Sequence, residues 1–289
     1  MNIIFWLIAS FFAAIWSSFR KKAIDNSTLH NWLITLFWPA IGLVFIYLLV
    51  FIFWINSNIF YDNKVIILLL VWWFIDWIAA LIEVSIFKRV KVSKILPYWS
   101  FDKLFIILLW FILFYWNPWY TSIITLLISI LTVVIIMLFS IDYKNFWIEK
   151  DVKLYIFVKF LYACTTLIMW RILFEYSTLD IFSVIIFIYL GFHLFSNIIF
   201  RRNFKSLLTQ SKQFYKYRVT SSILWRISFV LSIIIIEKSW VLIASLLSFI
   251  TIVFSIFSMK FILWDSPTKK QILLALLVVV LIWTWYYFK

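Results

Sequence analysis

Glycine is almost missing from this chain: Gly42 and Gly191 are the two in 289 residues. A GxGxxG dinucleotide fingerprint, a GxxxxGK[ST] phosphate loop and a GxSxG nucleophile elbow all need more closely spaced glycine, so all three are excluded. Cysteine occurs once, as Cys164, which excludes an intramolecular disulfide. It sits in an apolar run without the polar neighbours that activate a thiol, and so reads as an inert packed side chain. Histidine occurs twice, as His30 and His193, far apart, and no Cys or His spacing suits a metal. No cofactor is expected. Charge is scarce too, at 13% of residues against ~25% in soluble domains.

What fills the chain instead is apolar: 66% hydrophobic residues and a mean hydropathy of +1.07. That leaves too little polar surface to cover a water-soluble particle. The apolar runs reach the ~20 residues that a membrane-spanning helix needs. They lack the alternation of ~10-residue barrel strands. The expectation is a single all-α domain in the cytoplasmic membrane, with the lipid bilayer as its main partner. The net charge of +14 suits lipid head groups at the ends of apolar spans better than nucleic acid, which is not expected as a partner. Met1 to Phe19 has no cationic leader region and reads as a retained first span.

Ten spans are expected. They run from Ile3 to Phe19 or Ile24, Leu29 to Trp54, Val65 to Phe87, Val92 to Trp116, Tyr120 to Ile141, Leu154 to Phe174, Leu179 to Phe200, Val219 to Ile236, Ser239 to Leu263 and Gln271 to Phe288. A polar connector, 142–153, separates a first five-helix unit (1–141) from a second (154–289). A shift of 150 residues aligns the units. Lys21, Asp25 and Ser27-Thr28-Leu29 meet Arg171, Glu175 and Ser177-Thr178-Leu179; Lys88 meets Lys238; Phe111-Ile112-Leu113 meets Phe261-Ile262-Leu263; Pro118 lies one residue off Pro267. With five helices per unit, the second copy enters the membrane from the opposite side. Such inverted repeats are common in secondary transporters, where the site lies near the midplane between the copies.

Several segments carry a family resemblance. Ile15-Trp16-Ser17-Ser18-Phe19-Arg20-Lys21 is similar to an LWGSxF…K motif. The segment from Ile86-Phe87-Lys88 to Phe114 resembles ALKxxPASxAxxxxxLxPxFxxLLxxxxL, and Glu237-Lys238 to Leu263 resembles its second copy. Trp264 to Tyr287 resembles the closing ER…QxxGxxLIxxG helix. In layout the whole chain resembles the ten-helix drug/metabolite transporter superfamily, EamA-type. The resemblance implies ten helices, a transported small metabolite and both termini in the cytoplasm. The positive-inside rule points the other way, because Lys and Arg gather at the odd-numbered connectors, which places the termini outside; the charge bias is favoured.

The chain departs from that family at its glycines. Trp16, Trp72, Trp73 and Trp116 fall at or near places where the family often carries glycine, and tryptophan is abundant at 19 residues. One reading is that Trp fills membrane interfaces. The other is that some of these codons are UGA and are decoded as glycine in the cell that makes the protein; UGG at Trp16 and Trp116 would end that idea.

Ionisable residues inside spans are costly and point to function. Asp76 lies in the middle of the third span, Asp102 and Lys103 about 15 Å into the fourth, and Arg226 within the eighth. Asp76 and Arg226 stand 150 residues apart, at equivalent repeat positions. Glu83 shares a helical face with Asp76. The expected site therefore comprises Asp76, Asp102, Lys103 and Arg226, with Trp99 and Trp225 as aromatic walls and Asp76, Asp102 and Glu83 as coupling candidates. Against it stand structural roles: Asp102 paired with Lys103, Arg226 snorkelling, and Glu83, Lys159 and Arg171 reaching to the interface. His193 is expected in a helix-packing hydrogen bond, and the basic run Arg201 to Arg218 in a solvated loop at the head groups. The function expected is alternating-access transport of a small organic, amino-acid-like metabolite, possible proton coupling included; the alternatives are a non-transporting structural membrane protein and a lipid-handling membrane enzyme.

Overall fold

Asp62 starts the best-defined helix. Its Oδ1 accepts from the backbone N–H groups of Lys64 and Val65 at 3.0 and 3.2 Å, as an N-cap does. The helix then runs Asn63–Arg89, and Val90 turns extended behind two basic residues in the last turn. The computed structural model describes residues 3–31, 33–36, 42, 44, 59, 61–95, 98–99, 101–114, 127–128, 130–132, 134–135, 138, 150–199, 205–238 and 248–288. Among these residues there is no strand. The helices are α1 (Ile3–Asp25), α2 (Asn63–Arg89), α3 (Val92–Ile95), α4 (Phe101–Phe114), α5 (Lys150–Ile172), α6 (Thr178–Ile199), α7 (Lys205–Leu208), α8 (Lys212–Lys238), α9 (Ile250–Ser258) and α10 (Lys269–Phe288). A π-helical turn, Met259–Leu263, extends α9.

Three boundaries differ from the sequence reading. The fourth span is not one helix: α3 stops at Ile95 and α4 begins at Phe101. The intervening sequence holds Pro97, which has no N–H to give to a helical ladder. Asp102 therefore sits in the first turn of α4, where the helix dipole favours a carboxylate, and not two turns inside a continuous span. The connector expected over 142–153 gives its last residues, 150–153, to α5. The eighth span begins early, because Lys212 to Arg218 of the basic run are already helical in α8. The second and fifth expected spans, Trp116 and the start of the ninth span lie largely outside the described residues.

Equivalent helices recur near the 150-residue offset: α1 with α5, α2 with α8, and α4 with α9 and its π turn, each starting within three residues of it. α1 makes its most extensive contact with α8, and α5 makes its own with α2; next come α1 with α9 and α5 with α4. Ion pairs of i,i+4 type also recur, Lys21 with Asp25 and Arg171 with Glu175.

Apolar side chains face outward on most helices, among them Phe74, Ile112, Ile198, Phe261 and Leu276, while Arg20, Asp76, Glu83, Lys159, Arg218 and Arg226 are buried. This reversal of the water-soluble pattern fits a lipid surrounding. Asn63–Arg89, Lys150–Ile172 and Lys212–Ile235 are long and apolar enough to cross a membrane. The expected snorkelling of Glu83 and Lys159 is corrected: both are buried, and the Glu83 carboxylate pairs with Lys159 and with Arg20. Arg171 is exposed. Arg218 is not solvated at head groups; it is buried and donates to the Ile34 carbonyl at 2.7 Å. His193 is buried beside Thr35, Nδ1 to Oγ1 3.3 Å, in the helix-packing role.

The π turn ends in a left-handed residue, Trp264, with φ 58° and ψ 26°. The Asp265 N–H then reaches back to the Met259 carbonyl at 3.3 Å. Among the described residues Trp264 is the only one with a positive φ. Glycine is the usual occupant of this helix-ending position.

The Tyr176 hydroxyl donates to Asp62 Oδ2 at 3.0 Å, tying the start of α2 to the α5–α6 turn. The Val65 N–H first, and then this hydroxyl, hold the Asp62 carboxyl below its ordinary value of 3.8. A depressed folded value means the stabilisation is complete above the ordinary value and is lost as pH falls through the folded one. Tyr176→Phe is expected to lower the Tm in detergent at about pH 7, and the difference from wild type is expected to shrink as the pH is lowered through the folded value of Asp62.

Candidate functional site

A cavity of about 230 Å³ lies between α1, α2, α4, α5 and α8. All seven residues singled out in the sequence line it: Asp76, Glu83, Trp99, Asp102, Lys103, Trp225 and Arg226. Asp76 and Glu83 are seven residues apart on α2, so two helical turns bring them to one face. The turn before α4 supplies Trp99, the first turn of α4 supplies Asp102 and Lys103, and α8 supplies Trp225 and Arg226. The Trp225 ring packs on Trp16 of α1, centroids 4.4 Å apart, which closes part of one wall.

Lys103 Nζ lies 2.6 Å from Asp102 Oδ2, and both side chains keep some exposure. Their charges are therefore locally balanced. Asp76 and Arg226 are both buried and both line the cavity. Three further pairs 150 residues apart, Ala9 and Lys159, Trp16 and Thr166, Glu83 and Ile233, also contribute both members to the lining.

One end of the cavity is ionic. The Arg20 guanidinium donates to Glu83 Oε2. Lys159 Nζ lies 3.4 Å from Oε1, and the Tyr162 hydroxyl donates to Oε2 at 2.9 Å. Aromatic faces cover the cations: Arg20 stands 5.3 Å from the Trp16 ring and 5.4 Å from Phe87, and Lys159 4.8 Å from Tyr155. Such faces attract a desolvated cation. The side chains of Arg20, Glu83 and Lys159 are at most 6% exposed. Burial makes each charge depend on its partners, because neither water nor lipid replaces them.

Sequence reasoning named Arg20 only within the segment Ile15 to Lys21, and it left Lys159 and Tyr162 out of the site. A helical-face count carries the missing signal. Ala9, Ala13, Trp16 and Arg20 follow 4-3-4 spacing, so Arg20 continues the stripe of α1 that lines the cavity. Lys159, Tyr162, Thr166 and Met169 form the matching stripe on α5, all four lining it. Among the described residues no group of three or more His, Cys, Asp or Glu side chains is placed to hold a metal ion.

Glu83→Gln leaves two buried cations without their counter-charge. It is expected to cost about 3–5 kcal/mol, the usual penalty for breaking a buried pair from one side. Adding Lys159→Met is expected to restore part of the loss, as read by unfolding in detergent.

No protein-family model and no curated protein matches the chain. Solved structures do match. One, described only as "Crystal structure of protein", superposes with a TM-score of 0.69 at 12% identity, over 97% of this chain and 96% of the other. At that identity the likeness is one of fold.

Proposed function

We propose that this chain is a secondary transporter of the drug/metabolite kind, built from ten spans as two inverted five-helix repeats and moving a small, amino-acid-like metabolite by alternating access. One observation carries the reading. A cavity enclosed by helices from both halves takes its lining from positions 150 residues apart, with an acid, Asp76, and a base, Arg226, at one such pair. A site at the interface of repeats is where alternating access needs it, since rocking one bundle against the other opens it to each side in turn.

In this reading Arg226 and Lys103 hold a substrate carboxylate, and Asp76 and Asp102 meet its amine or take up a coupling proton. Glu83 is a further coupling candidate whose proton uptake would release Arg20 and Lys159. Trp225 and Trp99 enclose the apolar part of the ligand. The cavity's volume of about 230 Å³ suits a small metabolite and not a lipid. The 2.6 Å Lys103–Asp102 pair favours a second reading, in which the charges only satisfy one another and the protein is a structural element of the membrane.

The test is uptake of a mixed metabolite pool into proteoliposomes, with and without a pH gradient. Wild type is expected to accumulate a selected component, and Asp76→Asn to lower that uptake at least about tenfold, the equivalent of one charge-assisted hydrogen bond. Uptake untouched by the substitution removes Asp76 from the mechanism. Absence of all uptake by folded protein favours the structural reading.

A further inference from the structure

The two ends of the cavity differ in chemistry, and the 150-residue offset shows how sharply. At one end lie Arg20, Glu83, Lys159 and Tyr162, together with Asp102 and Lys103. Their equivalents in the other half are Trp170, Ile233, Ala9 and Phe12, with Ile252 and Val253. None of these six is charged. Of the lining charges, only Asp76 and Arg226 have a charged counterpart at the offset. The ionic end is also where the chain brings together the C-terminal part of α1, the C-terminal part of α2 and the N-terminal part of α5. Arg89 and Asp151 join α2 to α5 at that same end, 2.7 Å apart.

We propose that the Arg20–Glu83–Lys159–Tyr162 cluster is a latch that closes the cavity toward the face carrying Arg89 and Asp151, and that the opposite end has no such ionic cluster among the described residues. This rests on the transport reading for its purpose but not for its test. The latch spans both halves: Arg20 and Glu83 belong to the first, Lys159 and Tyr162 to the second. Opening toward the ionic face must separate α5 from α1 and α2, which breaks every bond to Glu83 that comes from α5. Opening toward the other face parts no ion pair of the cluster. The chain therefore meets two barriers of different kind on the two sides.

The experiment needs no substrate. In a Cys164→Ser background, Ser10→Cys places one thiol in the cavity. A membrane-impermeant maleimide is applied to oriented proteoliposomes from each face. In the otherwise unaltered chain, labelling from the ionic face is expected to be the slower of the two. Tyr162→Phe removes one hydrogen bond to a charged group and is expected to raise the rate from the ionic face about tenfold. Glu83→Gln is expected to raise it further, while the rate from the opposite face does not rise. Unchanged rates from the ionic face in both variants, or equal acceleration from both faces, overturn the latch. If Glu83→Gln does not fold, Tyr162→Phe decides alone. Labelling that depends on the cluster, without any uptake, keeps the latch and discards the transporter; uptake without such labelling does the reverse.

A second inference stands on backbone geometry and composition. The left-handed conformation of Trp264 is one that L side chains resist and glycine adopts freely. Its indole is 83% exposed, so burial gives it no reason to be there. Two glycines in 289 residues fall far below the ~7% that glycine contributes to ordinary proteins, while tryptophan occurs 19 times. The geometry points to glycine at position 264 in the polypeptide as its own cell makes it, inserted at a UGA codon. Peptide mass mapping of protein purified from that cell reads all 19 positions at once. Glycine at 264 is expected; tryptophan there overturns the inference.

Discussion

One carboxylate holds this molecule's centre together. Glu83 accepts from Arg20, Tyr162 and Lys159, on two helices of different halves, in a place sealed from solvent. Separating charges in so poor a dielectric is expensive. The helices that carry them, α1, α2 and α5, are therefore constrained together, and the cavity beside them inherits its walls from that constraint. The aromatic faces of Trp16 and Phe87 beside Arg20, and of Tyr155 beside Lys159, add cation–π attraction.

The surroundings explain why charge sits inside. A helix whose outer face meets hydrocarbon gains nothing from burying Leu or Ile, since lipid tails are as apolar as they are. Specific association must come from packing and from polar groups that lipid cannot satisfy. The buried serines follow the same logic: Ser258 bonds Ser18, side chain to side chain, at 2.9 Å across α1 and α9, and Ser228 of α8 donates to the Ala9 carbonyl at 3.1 Å.

Much of the helical layout was legible in the sequence, because apolar runs of spanning length leave little choice of structure. The spans around α2, α6 and α10 were placed within about two residues of their helices. The 150-residue offset was read from ordinary residues such as Lys21 and Arg171; three helix starts, of α5, α8 and α9, lie within three residues of that offset from α1, α2 and α4. The cavity residues were found by a simple rule, that charge within an apolar run needs a reason. The rule failed where charge lies near the end of a run. Arg20, Lys159 and Arg218 look like interfacial anchors by position, and only the face of the helix on which each lies decides otherwise. The break before Phe101 was missed because a proline in an apolar run can equally mark a kink.

Asp76 and Arg226 have a consequence for ancestry. If the halves descend from one shorter chain that assembled as a pair of identical copies, both places once held the same residue, so they were charged alike or not at all. An acid opposite a base cannot arise by symmetry in such a homodimer. It becomes accessible only after the copies are joined in one gene, when each place mutates alone. On that descent the unlike charges at these two places would be younger than the joining of the copies.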